Sequence, residues 1–303
     1  MLGAGGFLGG ALASALCDDG AVVEGFGHPP RDAGDADDRV RWTIGEFEDE
    51  AAVARALSDQ EVLFLLGPST GDLAAPDAGR VFSAHVAWTV RLLDAARRGT
   101  VRRVVFASSG GAVYGEARRI PTPESETTKP ISAYGSNRVA IERYLELHRL
   151  LFGLDYRVVR IANCYGPGQS PLRRHGFVAV ALHRAMHRRP IELWGADTMA
   201  RDFVYVDDAA RAMVHVARHE GTQRVFNAGS GVGRTLNAVV RDVARLAGVR
   251  EPAVMHEQPR RVDVSVSVLD TTLIRTLTSW RPRVAWPDGL AETARWMRRR
   301  YPA

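Results

Sequence analysis

Apolar and polar positions change spacing repeatedly along this chain, from strand-like runs to helix-like repeats. Near-continuous apolar runs stand at 21–26, 61–66, 101–106 and 156–161. Such runs suit strands buried on both faces of a parallel sheet. Shorter strand candidates lie at 40–44, 190–195 and 224–230, and helix candidates at 11–16, 51–57, 81–96, 176–187, 209–217 and 235–247. The 81–96 helix carries apolar residues on more than one face, which predicts a buried or interface helix. The regular exchange of strands and helices predicts an α/β protein built on a parallel sheet. No internal repeat, low-complexity tract or long linker interrupts it.

One apolar run ends in chemistry. Val104, Val105 and Phe106 lead into Ser108-Ser109-Gly110-Gly111, so a buried strand releases two hydroxyls at its carboxyl end. Open α/β sheets bind ligands at that end of their strands. Further on, Tyr134 and Arg138 stand four apart where a helix opens, and so share a face. A cation one turn from a phenol favours the phenolate and lowers a pKa that starts near ~10. At the other end of the chain, Gly3, Gly6 and Gly9 precede an Ala-rich helix. A glycine-rich turn entering a helix lets backbone N–H groups approach a pyrophosphate at the positive helix end. Only Met1 and Leu2 precede that turn, so the first, central strand is expected to be almost absent. Either the start codon is placed a few residues late, or the sheet is short and its cofactor site weakened.

Composition narrows the class. The chain has 303 residues, 46% hydrophobic and 25% charged, with a net charge of +5 carried largely by Arg. Paired arginines at 97–98, 102–103 and 173–174 read as solvated helix ends. No aromatic-interleaved basic run or zinc pattern suggests nucleic acid. The only cysteines are Cys17 and Cys164, which excludes a disulfide scaffold and fits a reducing compartment. With no membrane-length apolar run and no signal peptide, the expected location is the cytoplasm. No metal-ligand constellation is visible, and His85 reads as a packed or surface histidine.

Ser, then Val113-Tyr114-Gly115, then Tyr134-x-x-x-basic resembles the extended short-chain dehydrogenase/reductases. The nearest group is the nucleotide-sugar epimerase/dehydratase family, whose type is UDP-glucose 4-epimerase. GAGGFLG at 3–9, NCYGPGQ at 163–169 and RDFVYVDD at 201–208 strengthen the likeness, which spans the whole chain. The resemblance implies a Rossmann-type doubly wound sheet with a smaller C-terminal substrate-binding subdomain. Residues 1–165, with 200–235 returning, would form the dinucleotide-binding unit; 166–199 and 236–303 would bind the nucleotide sugar.

It also implies roles. Ser109, Tyr134 and Arg138 would be catalytic, Ser109 being preferred over Ser108. Gly3, Gly6, Phe7, Leu8, Gly9, Glu46, Phe47, Leu66, Tyr134 and Arg138 would hold NAD. Ser108, Asn163, Trp194, Arg201 and Arg260 would bind the nucleotide-sugar substrate. The family has Lys where this chain has Arg138, which keeps the charge but changes shape. No carboxylate ends the 21–26 strand and Arg31 follows it, so NADP stays open beside NAD. The acidic pair of the family's dehydratases is absent at 110–112, which argues against dehydration. The implied activity is 4-epimerisation through a 4-keto sugar. A ketosugar reductase and a non-catalytic binder are the alternatives. A homodimer through the 81–96 and Tyr134 helices is expected by the same resemblance.

Overall fold

The computed structural model describes residues 1–29, 37–46, 48–67, 78–173, 176–195, 198–258 and 263–302. The main sheet takes β1 (Glu24–Phe26), β2 (Arg41–Thr43), β3 (Val62–Leu65), β4 (Arg103–Ser109), β5 (Asp155–Ile161) and, late in the chain, β9 (Val225–Ala228). All its pairings are parallel. Leu2 bridges Phe26 on one side and Leu65 on the other. The order is therefore β2–β1–Leu2–β3–β4–β5–β9, with the reversal of direction at Leu2. As the sequence predicts, the central strand is reduced to this one residue and its two bridges.

Both faces of this sheet are buried, which is why its strands read as continuous apolar runs. Val104, Phe106 and Val158 pack toward α2 (Glu50–Leu57), α3 (Ala78–Arg98) and α4 (Ala133–Phe152). Val105, Ala107 and Val159 pack toward α1 (Phe7–Asp18) and α6 (Val206–Ala217). Helix α4 starts at Ser132, whose Oγ accepts from the Gly135 N–H at 3.1 Å, and ends at Gly153 with φ +75°. That hydroxyl cap and left-handed stop suit the two ends of a helix.

A second sheet centres on β8 (Ala200–Tyr205), which pairs with β6 (Asn163–Tyr165), β10 (Gly233–Thr235) and β12 (Val266–Ser267). Beside it, β7 (Ile191–Trp194) pairs with β11 (Val254–Glu257). Helices α5 (Phe177–Met186), α7 (Leu236–Ala247) and α9 (Trp286–Arg300) close a third core around Tyr165, Phe203 and Trp286. Helix α8 (Thr272–Thr278) packs back on β9.

The 200–235 stretch therefore divides. Residues 206–228 lie on the main sheet, while β8 and β10 belong to the second one. Asp207 and Asp208 do not cap α6, whose N-cap is Tyr205 with no side-chain bond. Asp208 is fully buried and accepts from the backbone N–H groups of Arg283 and Val284, at 2.8 and 2.9 Å. Among the described residues no helix is long and apolar enough to cross a membrane.

Candidate active site

A cleft of about 450 Å³ opens between the carboxyl ends of β4 and β5 and the second sheet. Leu8, Leu66, Ser108, Ser109, Tyr134, Arg138, Asn163, Trp194 and Arg201 line it. The sequence assigns these to catalysis, cofactor or substrate, and the fold gathers them from six separate elements and, for Leu66, the end of β3. Asp263, Phe177 and Gln169 line the same cleft, and the sequence assigns none of the three a role there. Gly6 and Phe7 line instead a larger groove, about 660 Å³, between α1 and α6.

The glycine turn is built by close approach. A Cβ on Gly9 would lie 2.0 Å from the Gly3 carbonyl oxygen, and Gly3 has φ +85°. The Gly6 N–H donates to that same oxygen at 3.1 Å. Gly6 caps α1 without a side chain, and no acid stands in its first turn. This leaves the positive end of α1 fit for an anion.

Tyr134 is half-buried in the first turn of α4, and Arg138 is 4% exposed one turn on. The Arg138 guanidinium stacks 4.8 Å over the Tyr134 ring and 5.4 Å over Phe106. Its Nη1 also lies 3.5 Å from the Leu66 carbonyl oxygen. The planar fork thus spans from the phenol to the end of β3, with stacked geometry that a lysine ammonium cannot adopt.

Strand alternation sends Ser108 toward α4 and Ser109 to the opposite side at the open strand end. Ser108 is 5% exposed and donates to Glu142 Oε1 at 2.6 Å, so its proton is committed to the protein and not, as the resemblance implies, to the nucleotide sugar. Ser109 is half-buried, and its carbonyl accepts from Val113 N–H at 3.1 Å to close the turn.

On the substrate side, Asn163 Nδ2 donates to the Asp202 carbonyl at 3.2 Å. Arg201 Nη1 donates to the carbonyls of Ala200 and Ser265, at 2.9 and 3.1 Å. Burial lowers the Arg201 pKa, opposed by the nearby Asp263 and Glu116 charges. Trp194 is half-buried on β7. Burial, with Asp202 nearby, pushes the Cys164 thiol up to about 12, which makes it an inert filler. Glu46 is exposed and meets His28 Nε2 at 3.3 Å. It does not cap α2, because Asp49 accepts from Ala52 N–H there. Phe47 and Arg260 lie outside the described residues, as do Arg31 and positions 68–70.

His85 is part of this cluster, not a surface group. Its Nδ1 lies 3.2 Å from Asn137 Oδ1, its ring stacks on Trp88, and its buried Nε2 has no hydrogen-bond partner among the described residues. Burial and then the Arg138 charge push its pKa down to about 4, against the Asn137 hydrogen bond. An unfolded histidine titrates near ~6.5, so between those values the unfolded state binds more protons. Stability is therefore expected to fall as pH drops from about 6.5 to about 4. Urea midpoints across that range should show it, and His85→Gln should flatten the slope. An equal slope in the variant would sink the assignment. His183 and His219, also lowered by burial, add to the slope in the same direction.

An α/β fold with a glycine turn at its switch point and a Tyr–basic pair beside a strand-end hydroxyl defines the short-chain dehydrogenase/reductase class. The chain belongs to the NAD dependent epimerase/dehydratase family, whose sequence profile matches residues 1–229. It is 33% identical to a UDP-glucose 4-epimerase of Mycolicibacterium smegmatis, over 98% of this chain and 97% of that one. Among solved structures it resembles UDP-glucose 4-epimerase from Thermotoga maritima, crystallised with UDP-glucose. The TM-score is 0.88 and identity 30%, over 99% and 98% of the two chains. The Thermus thermophilus UDP-glucose 4-epimerase in complex with NAD superposes with a TM-score of 0.87 at 28% identity, over 98% and 97%.

Proposed function

We propose that this chain is an NAD-dependent epimerase of a nucleotide-linked hexose, inverting C4 through a transient 4-keto sugar. The observation that carries the proposal is the cleft that Tyr134, under the Arg138 guanidinium, lines together with Ser109 and Arg201. The family membership and the epimerase relatives support it.

The residues present fit the dinucleotide. The uncapped N-terminus of α1 suits a pyrophosphate. Gly3, Gly6, Phe7, Leu8, Gly9, Leu66 and Arg138 would hold it. Bound there, NAD would supply a reversible hydride acceptor for C4. Tyr134, as phenolate, takes the proton from the sugar 4-hydroxyl and returns it to that oxygen once the keto sugar has turned its other face. Ser109 holds the sugar oxygen while it becomes a carbonyl. Arg138 stabilises the phenolate charge from the ring face. Arg201 presents a planar fork to the diphosphate, and Trp194 a face to the base.

Two measurements test this reading. Protein denatured after purification should release NAD, and the native protein should interconvert UDP-glucose and UDP-galactose without net redox. Absence of both would overturn it, and stoichiometric consumption of added NADPH would point to a reductase.

Arg138→Lys should leave turnover level or raise it, since an ammonium keeps the charge. Loss of activity in that variant would mean the stacked fork itself is needed. We also propose a homodimer. Tyr144, Leu147 and Leu151 expose an apolar row along α4, at 37, 42 and 62% exposure, beside α3. Light scattering at twice the chain mass would support it.

A further inference from the structure

The mechanism above makes no use of the most buried ion pair near the cleft. Tyr134, Arg138 and Glu142 occupy successive turns of α4, and Glu142 is turned toward the sheet. There Ser108 and Arg160 are paired neighbours on β4 and β5. Both reach the Glu142 carboxylate. Ser108 Oγ donates to Oε1 at 2.6 Å; Arg160 donates through Nε to Oε1 at 3.1 Å and through Nη2 to Oε2 at 2.6 Å. The remaining arm of Arg160 goes elsewhere. Its Nη1 donates to Tyr114 Oη at 3.0 Å, and that phenol donates to Asn227 Oδ1 at 2.7 Å. Burial, against the Arg160 charge, pushes the Tyr114 pKa up to about 12, so it stays a neutral donor.

Ser108 and Tyr114 bracket the turn that carries Ser109. One carboxylate–guanidinium pair therefore grips both ends of the reaction turn and anchors it to the helix of Tyr134. We propose that Glu142 and Arg160 are positioning residues, which fix Ser109 against Tyr134 by clamping Ser108 and Tyr114. The proposal rests on the reading of Ser109 as the catalytic hydroxyl.

The test is a double-mutant cycle on the holoenzyme, with UDP-galactose as the probe. Ser108→Ala removes one jaw of the clamp and leaves the Glu142–Arg160 pair intact. A misplacement of about 1 Å can cost on the order of a hundredfold in rate, and this partial release should cost about tenfold in kcat. KM and the content of bound NAD should not move. Ser108→Thr keeps the donor and should hold kcat within about threefold of the parent, by the same distance argument. The distinguishing arm is the same change made on Ser109→Ala. With the positioned hydroxyl gone, Ser108→Ala should cost less than about twofold, because residues acting as a unit are not additive.

An equal loss in both backgrounds would assign Ser108 and its partners to general stability and overturn the proposal. So would a Ser108→Ala enzyme with unchanged kcat. If Ser109→Ala alone leaves kcat untouched, the reading of Ser109 fails and the clamp proposal fails with it. That outcome is recognisable because epimerase activity persists in every variant.

Discussion

With phenylalanine at position 134, turnover should fall by about a thousandfold, the middle of the range for a lost general acid–base group. The change removes one oxygen. The ring face under the Arg138 guanidinium is the same in phenylalanine, so the stacking at 4.8 Å has no reason to change. Ser132 still caps the helix, because its bond goes to the Gly135 backbone. Bound NAD and the KM for the nucleotide sugar should therefore stay close to parental, and the loss should appear in kcat alone. A decrease of less than tenfold would mean that another group moves the proton, and Tyr134 would then be only part of the wall.

The second large effect is on stability. Arg160→Met should destabilise the fold by about 3–5 kcal/mol, because it leaves the Glu142 carboxylate buried without its counter-charge. Both side chains are only 8% exposed. Burial is the largest influence and penalises the Arg160 charge, yet the hydrogen bonds and charge of Glu142, with Tyr114, together outweigh it and raise its pKa. Removing one partner loses that compensation, strands the Tyr114 hydroxyl on one side, and leaves Glu142 with Ser108 alone. Replacing both charged residues by apolar ones of similar size should recover most of the loss, since no charge is then stranded. Guanidinium unfolding of the single and paired variants measures both. A single variant within about 1 kcal/mol of the parent would show that the carboxylate finds water or takes up a proton at little cost.

The line between what the sequence disclosed and what it concealed follows the range of the interactions. Local rules found the carboxyl end of β4, the opening of α4 and the turn at Gly3, Gly6 and Gly9. In each the residue type and its immediate neighbours dictate the backbone. Runs such as 61–66 and 156–161 betrayed a sheet covered on both faces. The clamp was hidden because Glu142 has ordinary spacing for a helical surface charge, and Arg160 stands in a strand that reads as apolar. Only the meeting of α4, β4 and β5 makes them a pair. Arg157 was hidden for the same reason. It is fully buried, donating to Asp155 at 2.8 Å and to the His219 carbonyl at 2.5 Å.

Asp208 shows the same reach: it stands in the first turn of α6, while its partners lie at 283 and 284. His85 looked peripheral because nothing near it in sequence explains its burial; Arg138 and Asn137 do so from another helix. The second sheet was only partly legible. Its strands β10 and β12, like β11 beside it, are short and draw their order from neighbours far along the chain.

The holding of the reaction turn also has a timetable. Asn227 accepts from Tyr114 and donates to the Thr122 carbonyl at 2.8 Å, across separations of 113 and 105 residues. Its backbone N–H donates to Glu124 at 2.8 Å. A ribosome delivers these partners long after β4 and α4 have been made. Contacts so distant in sequence form only once the intervening chain has closed its loops, and that closure is slow. During synthesis the catalytic tyrosine is thus in place on its helix while the turn facing it is still unfastened. The last third of the chain completes the active centre even where it supplies no reacting group.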